Sequence, residues 1–213
     1  MRQVTRPLSL IVPISLYQTP GQLWKVLRDY KDGRTPGLRR RFTLQVAATL
    51  GRFLSSHWRC IVSQRGDPWD LIVTVPSSSG RVGPHPLRQA LQLLPPPYSD
   101  HETDMLQPGT VKVRHNQADD DGFTVRGSLD GARILLVDDT YTTGARLQSA
   151  ASALQRAGGD LVAAVVVGRV IRSDDSAATR ALWDAAKAAR FSFETCCLEL
   201  RAAVEPPFDL DVH

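Results

Sequence analysis

Cysteine is scarce in this chain: Cys60, Cys196 and Cys197 are the only three in 213 residues, and no two stand at C-x-x-C spacing. That excludes a disulfide-built scaffold and fits a reducing compartment, so the expected location is the cytoplasm. Cys196 and Cys197 fall in an apolar-looking run, Phe193 to Leu200, read here as a final strand carrying buried thiols. Long hydrophobic runs are also missing, and nothing approaches the ~18 residues of a membrane span. The basic start from Met1 to Ile14 is broken by Pro13 and lacks a small-residue cleavage site, which argues against a signal peptide. Neither sign of charge dominates. The 26 basic and 22 acidic residues leave a net +4, a mild excess that suits an anionic ligand. Nucleic acid is compatible with that charge but is supported by nothing else. Internal repeats and low-complexity segments are absent. The 42% hydrophobic content and the length suit one domain with a proper core.

What is present is an alternation of strand-like and helix-like segments. Residues 8–17 read as extended, and Gln22 to Tyr30 as a helix through Leu23, Val26, Leu27 and Tyr30. A longer helix is expected over Arg39 to Ser56, with Phe42, Val46, Leu50 and Phe53 on one face. Asp70 to Val75 is a buried strand running into Pro76-Ser77-Ser78-Ser79-Gly80. Residues 86–94 read as helical, stopped by Pro95-Pro96-Pro97. Residues 98–131 look polar and irregular, with one strand candidate at Val111 to Arg114 and a solvated turn at Asp119 to Asp121. Arg133 to Val137 is a second buried strand, followed by a helix from Gly144 to Arg156 that Gly158-Gly159 ends. A third strand at Leu161 to Val167 and a helix over residues 176–189 follow. The expected class is α/β around a mainly parallel sheet.

The most informative stretch is Ile134-Leu135-Leu136-Val137-Asp138-Asp139-Thr140-Tyr141-Thr142-Thr143-Gly144. Four aliphatics make a strand buried on both faces, and two carboxylates follow where open α/β sheets bind ligands. The helix that comes next offers free N–H groups to a phosphate. Thr140, Thr142 and Thr143 add hydroxyls, and Gly144 permits close approach of the backbone. Two acids beside a phosphate site make sense if they accept hydrogen bonds from neutral hydroxyls. The pattern therefore describes a pocket for a ribose 5-phosphate. A plain helix N-cap would need one such residue rather than this ordered series. Neither a Gly-x-x-x-x-Gly-Lys-Ser/Thr loop nor a Gly-x-Gly-x-x-Gly turn is present.

The run Val137 to Ala145 resembles the 5-phosphoribosyl 1-diphosphate (PRPP) motif of type I phosphoribosyltransferases, with every motif position filled. The resemblance implies the type I phosphoribosyltransferase fold: a mainly parallel twisted sheet flanked by helices, with a small variable hood. It would span the chain as one domain, with residues 1–35 and 172–213 as hood or peripheral additions. It further implies transfer of the 5-phosphoribosyl group from PRPP to a nitrogen nucleophile with release of pyrophosphate. Mg2+ would be the cofactor, Asp138 and Asp139 would hold the ribose hydroxyls and the metal's waters, and Thr140 to Gly144 would hold the 5-phosphate. Ser77, Ser78, Ser79, Gly80 and Arg81, after the earlier strand, would contact pyrophosphate. A homodimer is a family expectation.

Among these enzymes the chain is most similar to the ComF-like group, through Pro13 to Tyr17, Tyr30 to Arg34, Val73 to Pro76 and Gln89. It departs from that group in having no cysteine before Cys60, and Gly83 to Gln89 replaces an arginine-rich stretch. Lys31, Lys112, Arg114 and His115 are candidates for charge contacts or a closing loop. His85 and His115 are the general-base candidates by location. Two alternatives stand beside a working transferase: a PRPP-binding regulator without turnover, and an accessory protein for DNA uptake.

Overall fold

A computed structural model describes residues 4–64, 66, 68–77 and 84–198. Its centre is a five-stranded, all-parallel sheet. The strands are β1 (Ile11–Tyr17), β2 (Leu71–Thr74), β3 (Glu102–Thr103), β6 (Arg133–Tyr141) and β7 (Asp160–Val170). Their spatial order is β1-β7-β6-β2-β3. The chain steps outward from β2 to β3 and then, from β6, outward the other way to β7. The order therefore reverses between β2 and β6, and the crevice at their carboxyl ends is where such sheets take ligands.

Burial explains the central pair. Ile134 to Val137 are wholly buried because both faces of β6 are covered, which is why they read as a continuous aliphatic run. One face carries α1 (Gln22–Asp32), α2 (Pro36–Ser63) and α3 (Pro86–Leu91), packed on Leu135, Val137, Val165 and Val167. The other carries α5 (Ala145–Arg156) and a small antiparallel ribbon of β4 (Leu106–Pro108) and β5 (Phe123–Val125), packed on Ile134, Leu136 and Val166. Small residues in α5 (Ala150, Ala151 and Ser152, all fully buried) let that helix lie close to the sheet. Two further helices are α4 (Tyr98–His101) and α6 (Ala177–Ala188). No helix among the described residues is long and apolar enough to cross a membrane.

Several sequence expectations change. The long helix starts earlier, with Pro36 at its first turn and the Thr35 hydroxyl accepting from Leu38 N–H at 3.2 Å, and it continues to Ser63. Residues 11–32 belong to the main sheet and helical layer rather than to a peripheral addition, since β1 pairs with β7 and α1 packs on α2. Val111 to Arg114 is no strand. Val113 packs inward beside Ala118 and Ala145, but the segment makes only scattered backbone bonds, Val111 N–H to the Asp121 carbonyl at 3.2 Å and a bridge of Arg114 to Gln117 around Asn116 at φ 59°. Phe193 to Leu198 is likewise no strand: it packs on the core cluster that includes α2, with the Phe193 carbonyl bonded to His57; residues 199–200 of that reading lie outside the described residues. The acidic turn is a tether. The Asp120 carboxylate accepts from Thr5 N–H at 3.1 Å and from the Ser152 hydroxyl at 2.5 Å, joining the N-terminal segment to α5.

Candidate functional site

β6 runs on past Val137, through the acid pair to Tyr141, paired along β7 as far as Tyr141 opposite Arg169. The carboxylates are thus strand residues, and alternation sends them to opposite faces. Asp139, only 4% exposed, faces α1, where the Tyr30 hydroxyl donates to it and Lys31 Nζ forms an ion pair with it. Asp138 is half-buried and accepts the Asp139 backbone N–H at 2.8 Å. Burial and the Asp139 carboxylate push the Asp138 pKa up to about 7, while Lys31, that N–H and Arg146 oppose the rise.

Beyond the acids the chain turns through Thr142 and Thr143 into α5. Gly144 sits at φ 76°, in the left-handed region, and a Cβ there would lie 2.7 Å from Tyr141 Oη. The turn therefore demands glycine for two reasons, its backbone angle and the Tyr141 ring over it. Thr143 Oγ1 accepts weakly from Ala145 N–H and Asn116 N–H, each at 3.4 Å. Thr142, Thr143, His115, Arg169 and Arg172 line a cleft of about 230 Å3. Thr140 hydrogen-bonds the Tyr17 hydroxyl, whose pKa is raised first of all by burial.

Across the switch point, β2 ends at Thr74 and leads through Pro76 to Ser77. Those three residues line a second cleft, of about 310 Å3, with His85, Arg88 and Asp104. His85 Nδ1 is buried with no hydrogen-bond partner among the described residues, and burial lowers the imidazole's pKa. Ser78, Ser79, Gly80 and Arg81 lie outside the described residues.

Of the candidate cations, Lys31 reaches the acid pair and His115 reaches the Thr142–Thr143 turn. Lys112 and Arg114 are exposed and line neither cleft. Sequence reasoning passed over Arg146, the second residue of α5. Its guanidinium donates to the Pro76 carbonyl and lies 5.3 Å from the centre of the Phe123 ring, tying the turn after β6 to the loop after β2. Its position just beyond the glycine turn was the one available signal. Tyr30, read from the sequence only as part of the apolar face of α1, reaches Asp139 through its hydroxyl, which helical spacing does not signal.

No family model and no curated protein matches this chain. What the site can do is therefore argued from its geometry and from the motif.

Proposed function

We propose that this protein is a type I phosphoribosyltransferase that moves the 5-phosphoribosyl group from PRPP to a nitrogen nucleophile, a nucleobase or related amine, releasing pyrophosphate. The observation that carries the reading is the place of the motif. An acid pair and a Thr/Gly turn end the central parallel strand and open a helix at the reversal of strand order. The turn from Thr142 to Gly144 and the first N–H groups of α5 suit a 5-phosphate, and the neighbouring cleft beside β2 suits the pyrophosphate.

The two acids divide the work. Asp139 is held by Tyr30 and Lys31 and keeps the end of the strand in place; Asp138, which alternation puts on the opposite face, is the carboxylate we assign to the ligand. As the bond from the anomeric carbon to pyrophosphate breaks and a bond to nitrogen forms, positive charge develops on the ribose. Asp138, hydrogen-bonded to the ribose hydroxyls, places negative charge near it.

Mg2+ fits this donor set. A hard cation takes one or two carboxylates and keeps its waters; burial first and the Asp139 charge second raise the Asp138 pKa, and a divalent ion would relieve the second. When bound, it would neutralise the departing pyrophosphate, with Asp138 contacting its water shell.

Calorimetric titration with PRPP, with and without Mg2+, tests the pocket on wild type and Asp138→Asn. The expected result is Mg2+-dependent binding that the variant weakens at least ~10-fold, ~1.4 kcal/mol. Pyrophosphate release with a panel of nucleobases then separates a transferase from a protein that binds PRPP without turnover. No binding at millimolar PRPP would sink the assignment.

A further inference from the structure

In the C-terminal half of α2, a second set of ligating groups converges. His57 and Cys60 stand three residues apart on one face of the helix, the spacing that brings side chains together. The segment after α6 crosses this face. The Phe193 ring lies 5.0 Å below the Arg52 guanidinium, and the Phe193 carbonyl accepts a hydrogen bond from His57 Nε2–H at 2.8 Å. Three residues on, Cys196 is 4% exposed against the same core, and His57 is 2% exposed. A ring nitrogen of His57 and the sulfurs of Cys60 and Cys196 all lie within 4.8 Å of one another.

We propose that His57, Cys60 and Cys196 form a binding site for a thiophilic divalent cation, best suited to Zn2+, that pins the segment after α6 onto α2. Two features give the arrangement its chemistry. First, a carbonyl can only accept, so Nε2 carries the imidazole proton and Nδ1 presents its lone pair toward Cys60 Sγ, 3.7 Å away. Zinc-binding histidines are oriented in this way, by donating their other ring N–H to a backbone carbonyl. Second, with Zn–S near ~2.3 Å and Zn–N near ~2.05 Å, a tetrahedral ion holds thiolate and imidazole nitrogen ~3.6 Å apart, so the observed spacing needs almost no adjustment. The set of two sulfurs and one nitrogen leaves a fourth position for water. Soft thiolates exclude Mg2+ and distinguish this site from the acid pair.

Binding replaces the two S–H protons, which go to solvent. The ligands come from positions 57, 60 and 196, and only the fold brings Cys196 to the helix.

The test is metal content of the whole chain, purified without chelator and desalted, followed by Co2+ substitution. One zinc per chain is expected, together with thiolate-to-cobalt charge-transfer bands and tetrahedral visible bands. Cys60→Ser and Cys196→Ser should each weaken zinc at least ~100-fold in competition with a chromogenic chelator, since each removes a thiolate ligand. Wild-type protein that takes up neither ion would overturn the proposal without reference to any variant. So would non-reducing peptide mapping that finds a Cys60–Cys196 disulfide in freshly isolated protein.

Discussion

Replacing Asp138 with asparagine should stabilise the protein at alkaline pH while weakening its site. Moving a carboxyl from its ordinary 3.8 to about 7 costs at most ~4 kcal/mol of stability once it is ionised, at ~1.4 kcal/mol per pH unit. Asp138 is only half-buried and its neighbours can relax, so ~1–3 kcal/mol is the expected cost. The sign follows from proton binding. Between pH 3.8 and about 7 the folded chain keeps a proton that the unfolded chain has lost, so stability falls as pH rises through that window. At pH 5 the wild-type carboxyl is neutral and asparagine is nearly isosteric with it, its oxygen still able to accept the Asp139 N–H. The two folded states are therefore matched at pH 5, but the unfolded wild-type chain has already lost its proton there, so Asp138→Asn should gain about a third of the effect at pH 5 and the full ~1–3 kcal/mol at pH 8.5. In thermal unfolding of a domain this size, that gain is roughly 2–12 °C. The assay is unfolding of both proteins, ligand-free, across that pH range. A variant equally or more destabilised at pH 8.5 than at pH 5 would show that Asp138 is not held above its ordinary pKa, and the account of the paired acids would fall with it.

Removing the cation at the pair should act in the opposite sense. Lys31→Met leaves Asp139 buried without its ion-pair partner and should cost ~2–3 kcal/mol in denaturant unfolding at pH 8, somewhat less than a fully buried pair because Lys31 is 27% exposed. It should also push the Asp138 pKa higher, raising the pH at which stabilisation by Asp138→Asn levels off. Gly144→Ala should cost ~2–4 kcal/mol, combining left-handed backbone strain with displacement of the Tyr141 ring; a melting temperature unchanged from wild type would refute the turn geometry.

The elements around the site were legible because their signals are local. The aliphatic runs of β2, β6 and β7 and the helical spacing of α1, α2 and α5 each declare an element within one window. The ribbon of β4 and β5 escaped notice because three-residue strands carry no period, and each exists only through the other. Val111 to Arg114 failed for the converse reason: it alternates, but no strand lies beside it to pair with. Phe193 to Leu198 has a strand's composition, yet its apolar residues are spent on α2.

By itself, the sequence determined the chemistry of the loop: two acids, a Thr/Gly turn and the helix that follows, all contiguous between Val137 and Ala145. Tertiary structure decided how those groups are used. Pairing with β7 carried the strand through both acids and turned their side chains to opposite faces. Packing of α1 then gave Asp139 to Lys31 and Tyr30, with Asp138 on the opposite face of the strand. Packing of α5 brought Arg146 to Pro76, 70 residues away in sequence, and packing of the segment after α6 brought Cys196 to Cys60. Such relations depend on through-space distance, which a periodic pattern along the chain does not encode.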